Sequence, residues 1–456
     1  MSGPRAFRTA TIVLVMIAGI AQSVRAKQTS AELQEQYEKL SRQFAADNPN
    51  WRPVAPKTGT LLFVASDEYT PPYALDVSTK DMREKHAEAL FDLARQAAEA
   101  GQLSLSFQWA TETVRENPDH AEARRVLGYE QREGQWLTAY GLKMFDAGKV
   151  WDPKRGWVAK ADAASSKEKD DAEAARHADI KSGWQVRTDH FQVTTNHSQA
   201  AGAELAVRLE QLYQIWRQLF AGFYYTPLEV RALFAGERNA RVLSHPFHVI
   251  YYRNKQEYVE ALRRQLPQVG KTLGLYNDAT HIANFFAGDK NSASTLYHEA
   301  VHQLFQESKP TGKHIGLLAN FWVVEGVATY FESLTEHVDS RAGLYFTVGD
   351  LTVGERLQFA RKRMGEGYYI PIGELARLGR GELQHSPQII PIYGESCALA
   401  AFLIDGEQGR YREPFVRYLQ AVYAGKDNEG SLAELTESSF TELDAQFRRY
   451  LLQSLP

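Results

Sequence analysis

A His-Glu-x-x-His pattern at residues 298–302 constrains this chain more than any other feature of its sequence. Residues four apart on a helix lie on one face about one turn apart, so His298 and His302 can direct imidazole nitrogens at one metal ion. Glu299 then flanks that ion without binding it. This arrangement predicts the zinc site of a hydrolase, in which three protein ligands leave one coordination position open.

The third ligand must come from elsewhere in the chain. A third histidine in the metzincin pattern is excluded, because Phe305 and Ser308 occupy the positions of its glycine and histidine. His314 follows a turn-rich stretch that has no fixed helical geometry. Glu325 lies in a second apolar segment, residues 322–332, and a following antiparallel helix can return its carboxylate to the ion. We therefore prefer Glu325 as the third ligand, with His314 as the alternative.

The structural alternative is that His298 and His302 are core histidines with Glu299 as their partner. Such a polar triple is costly to bury without a purpose. The flanking helix is apolar through Leu296, Ala300, Val301, Leu304 and Phe305. The metal interpretation is therefore favoured.

His298 and His302, followed by the segment Glu325-Gly326-Val327-Ala328, resemble the gluzincins of the peptidase MA clan. In that family a glutamate from a helix after the HExxH helix completes the zinc site. The resemblance is closest to secreted bacterial proteins with a peptidase-MA-like domain, and it covers the chain from about Trp184 onward. Many gluzincins carry an aspartate four residues after the ligand glutamate to orient a histidine. This chain has Thr329 there, so its histidine must be oriented differently.

The resemblance implies a zinc-dependent peptidase. Zinc held by His298, His302 and Glu325 would polarise the scissile carbonyl and activate a water, with Glu299 as the general base. In some resembling families a tyrosine from a later helical lobe faces the zinc and can hydrogen-bond the oxyanion. Tyr393, which begins a strongly apolar helix, is our candidate for that role; the alternative is a tyrosine that merely packs at the helix start.

A second class of function is a noncatalytic binding or scaffold protein that retains a structural zinc site. The intact Glu299 argues against it, because a structural site has no need of a general base. For a peptide or protein substrate, the predicted strand Thr280 to Phe286 could pair with an extended chain by edge addition. The equally open alternative is a strand covered on both edges.

The N-terminus predicts export. Arg5 and Arg8 precede an apolar run from Thr11 to Ala21, and Val24-Arg25-Ala26 fits a small-residue cleavage site. We expect a secreted or periplasmic protein whose mature chain begins near Lys27. The apolar run is too short for a stable membrane anchor, and no later stretch approaches the length of a transmembrane helix. The formal net charge of −4 gives no reason to expect nucleic acid or an acidic membrane as a partner.

The single cysteine, Cys397, excludes an internal disulfide, and its apolar surroundings predict a small buried hydrophobe rather than a nucleophile. No cysteine near the cleavage site could carry a lipid anchor.

We predict an α+β fold, with a zincin-like catalytic domain and a helical C-terminal lobe, preceded by a mostly helical N-terminal region. Two helices from Lys80 to Asn117, separated by Gly101, and a third through Leu127 weakly resemble tetratricopeptide hairpins. This region either packs on the enzyme or binds a protein partner. The predicted boundaries are 1–26 for the signal peptide, 27–158 for the helical N-terminal region, 159–179 for a charged linker helix, 180–340 for the lobe with both motif helices, and 341–456 for the helical lobe.

Overall fold

The computed structural model describes residues 28–48, 58–65, 77–163, 171–237, 245–288, 293–339 and 343–453. The predicted signal peptide lies outside these residues, as does the middle of the predicted linker, 164–170. The chain folds as a mixture of helices and strands, as predicted.

The N-terminal region contains the three helices predicted from Lys80 to Leu127, and a further helix and a short strand precede them. Helix α1 spans Ser30–Asp47, strand β1 Thr60–Leu62, and helices α2 to α4 span Lys80–Ala100, Leu103–Glu116 and Ala121–Leu127. Thr29 starts α1 with a capping box, in which its side chain and that of Glu32 bond each other's backbone N–H groups. Gly101 ends α2 in the left-handed region at φ 82°, which a residue without a Cβ adopts at no steric cost. The predicted break between the two helices is therefore confirmed.

Two β-hairpins follow, which the sequence prediction of a mostly helical region missed. The first pairs β2 (Tyr129–Arg132) with β3 (Gln135–Thr138), and the second pairs β4 (Lys149–Asp152) with β5 (Gly156–Ala159). Helix α5 (Ala139–Asp146) lies between the hairpins, and helix α6 (Lys160–Ala163) follows the second. Strands of four residues are too short for an alternating pattern to stand out. In the predicted linker, Ala159 belongs to β5, and the described residues on either side of 164–170 form the helices α6 and α7 (Asp171–Arg176).

A five-stranded mixed sheet forms the centre of the following lobe. Its strands are β6 (Trp184–Arg187), β7 (Phe191–Thr195), β8 (Phe247–Tyr252), β9 (Leu275–Asn277) and β10 (Ile282–Phe286), in the order β6-β7-β8-β10-β9. The pairs β7/β8 and β8/β10 are parallel and the outer pairs antiparallel. Strand β10 is therefore covered on both edges. Addition of a substrate strand to β10 is excluded, and among the described strands the outer edge next to β10 belongs to β9.

Helices pack on this sheet and continue into the motif region. Between β7 and β8 lie α8 (Gln199–Leu219), α9 (Ala221–Tyr224) and α10 (Pro227–Phe234), and α11 (Lys255–Leu262) precedes β9. The His-Glu-x-x-His motif lies on α12 (Ala293–Glu307), and Glu325 lies on α13 (Phe321–Phe331). Strand β12 (Gly343–Val348) then pairs with β11 (Thr335–Asp339) on one edge and with β1 on the other, so the N-terminal region contributes a strand to the sheet that follows α13.

The predicted boundary at 341 falls between the paired strands β11 and β12, and the described chain is helical, as predicted, from Glu355 onward. Its helices are α14 (Glu355–Gly365), α15 (Ile372–Arg377), α16 (Arg380–Gln384), α17 (Ile389–Asp405), α18 (Arg412–Tyr423), α19 (Ser431–Thr436) and α20 (Phe440–Leu452). Cys397 on α17 is 1% exposed, and burial raises the pKa of its thiol to about 12, in agreement with a packing role.

One expectation about membranes needs correction. The stretch Ile389–Gly409 is long and apolar enough to cross a bilayer, although no such stretch was predicted after the N-terminus. Of this span, 72% is buried within the protein. Its apolar character is accounted for by its position between α13, α14 and α20 in the core.

A continuous hydrophobic core connects the regions of the chain. It runs from Leu33 on α1 to Leu451 on α20 and includes the apolar faces of both motif helices. The N-terminal helices and the motif helices therefore share a core, which holds the elements that carry the candidate site in fixed positions.

Candidate metal centre

Helix α12 directs its two histidines to the same point. One face of the helix, with Leu296, Ala300, Val301, Leu304 and Phe305, is buried in the core. His298 and His302 lie on the opposite face, one turn apart, with Nε2 atoms separated by 3.2 Å. Both imidazoles are partly buried, so their nitrogens converge at a place that solvent reaches only in part.

Helix α13 brings a carboxylate to the same point. Glu325 is 7% exposed, and its Oε2 lies 3.7 Å from the Nε2 atoms of both His298 and His302. Three atoms that each bind one tetrahedral zinc ion at about 2.0–2.2 Å are expected to lie roughly 3.3–3.5 Å apart. The observed separations of 3.2, 3.7 and 3.7 Å lie within about 0.2 Å of that range, and two imidazoles with one carboxylate form a donor set that catalytic zinc sites use. The residues present therefore fit a zinc ion.

The structure separates the two candidate third ligands. Glu325 belongs to a group with His298 and His302 in which all ligand atoms lie within 4.8 Å of one another. His314 is exposed and is not part of that group.

Glycine allows α13 to approach α17 closely. A Cβ added at Gly326 would lie 2.8 Å from the backbone oxygen of Ser396, a separation that real Cβ atoms essentially never show. Gly326 directly follows the ligand Glu325 on α13, and Ser396 lies three residues after Tyr393 on α17. The close contact therefore places Glu325 beside the helix that carries Tyr393.

Glu332, a residue that was not predicted from the sequence, orients His298. Glu332 Oε1 lies 2.8 Å from His298 Nδ1, which leaves Nε2 for a metal. Arg356 in turn donates from Nε to Glu332 Oε2 at 2.6 Å and from Nη2 to Oε1 at 3.1 Å. The Thr329 hydroxyl does not take this role, because it donates to the Glu325 carbonyl in its own helix at 2.7 Å. The sequence feature that could have identified Glu332 is its spacing of seven residues from Glu325, which is two turns along one face of a helix.

Glu332 is held in its charged form. Burial alone would raise the pKa of this carboxyl, but the hydrogen bonds from His298 and Arg356 outweigh burial and keep the pKa below its usual value. A carboxylate is a better acceptor than a carboxylic acid, so Glu332 selects the His298 tautomer with its proton on Nδ1.

Glu299 is held by the backbone of the edge strand. The Tyr276 N–H on β9 donates to Glu299 Oε2 at 2.8 Å. Within the described residues, no hydrogen bond reaches Glu299 Oε1. The carboxylate is thus positioned beside the two histidines through one oxygen, while the other faces no protein donor. A backbone donor leaves no side-chain signal in the sequence, so this contact was not predicted.

Tyr393 faces the ligand group. Its hydroxyl lies close enough to Glu325 for each group to affect the pKa of the other, and the Arg356 guanidinium lies 5.5 Å from the centre of its ring. Burial, together with the nearby Glu325 charge, raises the pKa of Tyr393, so the hydroxyl remains a proton donor at neutral pH. The structure thus brings Tyr393 to the site that the three ligands and Glu299 share.

Burial and mutual charge perturb the ligands themselves. Burial, with a further contribution from the His298 charge, lowers the pKa of His302 to about 3. Burial also disfavours protonation of His298, but the Glu332 hydrogen bond and the charges of Glu299 and Glu325 outweigh it and raise the pKa. Burial raises the pKa of Glu325. Ionisable groups crowded into one buried place are a feature of functional sites.

No protein-family model matches this chain, and no curated protein matches it.

Proposed function

We propose that this chain is a secreted zinc metallopeptidase of gluzincin type, with a zincin-like catalytic domain. The observation that carries the proposal is the convergence of His298, His302 and Glu325, whose ligand atoms lie 3.2 to 3.7 Å apart. Glu299 lies on the same helix as the two histidines and within the same site.

His298, His302 and Glu325 would hold the ion. A zinc ion bound there supplies a Lewis acid for the scissile carbonyl and lowers the pKa of a water toward neutrality. Glu332 supports binding, because its hydrogen bond to His298 Nδ1 fixes the ring with Nε2 directed at the site.

Glu299 is the general base in this proposal. Its Oε2 is occupied by the Tyr276 N–H, so Oε1 is the oxygen that takes the proton from the attacking water. The same carboxyl then passes that proton to the leaving amine as the peptide bond breaks. Tyr393, whose hydroxyl remains protonated, is the donor we assign to the carbonyl oxygen as negative charge develops on it.

The first test is a metal analysis of the purified protein. We expect one zinc per chain in the wild type, and loss of zinc in His298→Ala and in His302→Ala. Glu325→Gln should bind zinc more weakly, while the control His314→Ala should retain it. Full zinc occupancy in both histidine variants would reject the metal site. Loss of zinc in His314→Ala with normal affinity in Glu325→Gln would reject the ligand set.

The second test is a peptide-library digest. Glu299→Gln preserves the size of the side chain but cannot accept a proton. We expect this variant to keep its zinc and its fold, while hydrolysis falls by at least about a hundredfold. Equal activity of wild type and Glu299→Gln would reject the mechanism. Absence of any turnover by zinc-loaded wild type would favour a noncatalytic zinc-binding protein.

A further inference from the structure

The backbone of Arg380, the first residue of α16, is held against the start of α13, the helix that carries Glu325. Three backbone hydrogen bonds join the segments 376–380 and 316–321, from the N–H groups of Asn320, Phe321 and Arg380 to the carbonyls of Ala376, Leu378 and Gly316, at 2.8, 3.1 and 2.8 Å. A Cβ added at Gly379 would lie 2.5 Å from the Leu317 oxygen, so the two segments are in direct backbone contact. The position of Arg380 relative to α13 is therefore set by the backbone and not by its own flexible side chain.

The Arg380 side chain lies between helix α13, which carries Glu325, and the end of strand β9. Its guanidinium lies 5.6 Å from the centre of the Phe321 ring, and Phe321 is one turn before Glu325 on the same face of α13. On the other side, Nη1 is 3.8 Å from Oδ2 of Asp278. Asp278 follows strand β9, two residues after Tyr276, whose N–H holds Glu299. Arg380 thus connects the ligand helix with the strand that positions the general base.

The guanidinium of Arg380 is only loosely engaged. The side chains of Arg380 and Asp278 are 49% and 51% exposed, and an ion pair between exposed groups contributes little to stability. Within the part of the chain that the structure describes, no acceptor lies within hydrogen-bond distance of the Arg380 guanidinium. Arg356 contrasts with it, because both of its hydrogen bonds go to Glu332 at 3.1 Å or less. Arg380 is therefore a cation at the site that remains available to a ligand.

The contacts of Arg380 place it beside the candidate site. Phe321, under its guanidinium, lies one turn before the ligand Glu325, and Asp278 lies two residues after Tyr276, whose N–H binds Glu299. An anionic group bound to Arg380 would therefore lie close to the place where the scissile bond is proposed to lie.

We propose that Arg380 binds a carboxylate of the substrate and so determines specificity, with the substrate carboxylate replacing that of Asp278. This inference rests on the proposed peptidase function and names its substrate class, which is peptides with a carboxylate next to the scissile bond. The planar guanidinium matches a carboxylate with two parallel hydrogen bonds, a geometry that lysine cannot reproduce. The carboxylate comes either from an acidic side chain or from a free C-terminus.

Binding is measured without turnover in zinc-loaded, full-length Glu299→Gln protein. The probes are fluorescently labelled hexapeptides rich in alanine and leucine. One pair ends in a free carboxylate or in an amide, and a second, amidated pair carries Glu or Gln next to its last residue. We expect the carboxylate member of at least one pair to bind about tenfold more tightly than its neutral counterpart. The pair that shows the difference identifies the source of the carboxylate.

The variant Arg380→Gln, added to Glu299→Gln, should lose this preference while it retains zinc. Arg380→Lys should prefer the carboxylate peptide less strongly than the protein with Arg380 does, and more strongly than Arg380→Gln does. Asp278→Asn removes the competing carboxylate and should strengthen binding of the acidic peptide by a few-fold. Arg377→Gln is the matched control, because Arg377 lies on the same segment but pairs with Glu429 and is 70% exposed. The control should keep the full preference.

Two results would overturn the inference: equal binding of acidic and neutral peptides by the parent protein, or a preference that survives in Arg380→Gln. The outcome is separable from that of the proposed function. A wild type that hydrolyses peptides without regard to the carboxylate supports the peptidase and overturns the role of Arg380. Zinc-loaded protein that binds carboxylates through Arg380 but cleaves no peptide supports the carboxylate site and overturns the peptidase.

Discussion

Glu332 Oε1 accepts a hydrogen bond from Nδ1 of His298 over 2.8 Å, although the two residues are 34 positions apart in the chain. The contact depends on α12 and α13 packing side by side, with Glu332 at the end of α13. Arg356 holds the same carboxylate from α14, so three helices take part in orienting one imidazole. His298 is thereby oriented by Glu332, while Thr329 donates its hydroxyl to the Glu325 carbonyl within α13.

Replacing Glu332 tests this arrangement. Glu332→Gln retains the shape but removes the negative charge that stabilises the Nδ1–H tautomer and pairs with Arg356. We expect zinc affinity to fall by at least about tenfold, the lower end of the range for groups that support a ligand. Competition with a chelator measures the affinity. Glu336→Gln, at an exposed position on β11, should leave it unchanged. Equal affinity in wild type and Glu332→Gln would contradict a role in orienting His298.

Gly326 is predicted to be essential for the contact between α13 and α17. In Gly326→Ala the new Cβ would lie 2.8 Å from the Ser396 oxygen, a backbone atom that cannot move without moving its helix. We expect a loss of about 1–3 kcal/mol in the free energy of unfolding. Denaturant unfolding of the zinc-free protein measures it. Gly381→Ala is the control, because a Cβ there meets nothing within 4 Å. Similar stability of both variants would show that the helices can separate at little cost.

Tyr393→Phe removes the hydroxyl that faces Glu325 and keeps the ring beneath Arg356. If this hydroxyl stabilises the developing oxyanion, kcat should fall by about tenfold to a hundredfold while zinc content stays the same. Kinetics on a substrate from the peptide library provide the measurement. Tyr368→Phe, at a side chain that is 63% exposed, serves as the control. An unchanged kcat in Tyr393→Phe would limit this tyrosine to a packing role.

Glu395 should make stability depend on pH. It is fully buried, neither of its carboxyl oxygens has a hydrogen-bond partner in the described structure, and burial raises its pKa to about 7. A folded-state pKa above the unfolded value means that folding takes up a proton, so this contribution to stability is complete below about pH 4.5. It is lost as the pH rises through about 7.

Unfolding measurements on wild type and Glu395→Gln isolate this effect from other titrating groups. Between about pH 4.5 and pH 8, the stability difference should move in favour of Glu395→Gln by up to about 3 kcal/mol, the free energy equivalent of the shift to a pKa of about 7. The exposed Glu434→Gln should show no such change. A difference that is independent of pH would mean that Glu395 ionises normally in the folded protein.

The predicted signal peptide determines where the mature protein should begin. Arg5, Arg8 and the short apolar run indicate cleavage after Ala26, so sequencing of exported material should begin near Lys27. An intact Met1 recovered from the membrane fraction would indicate an uncleaved anchor instead.

Much of the architecture near the site was predictable from local patterns. The four-residue spacing of His298 and His302 required only a helix, and α12 supplies it. The predicted strand from Thr280 to Phe286 corresponds to β10, Ile282–Phe286, and the predicted break at Gly101 separates α2 from α3. The hairpins from Tyr129 to Ala159 were missed, because strands of four residues give too little periodicity.

What the sequence alone determined are relationships within one helix or strand, where repeat geometry decides which side chains share a face. It placed His298, Glu299 and His302 together and favoured Glu325 over His314. Only the tertiary structure decided which separate elements meet.

The Glu332 contact with His298, the Tyr276 N–H on Glu299, and the position of Arg380 each join residues that are distant in the chain. Such contacts depend on how α12, α13, β9 and α16 pack together, and in one case on a backbone N–H that every residue except proline carries. No local pattern records them, since their geometry is set by the shared core and not by spacing along the chain.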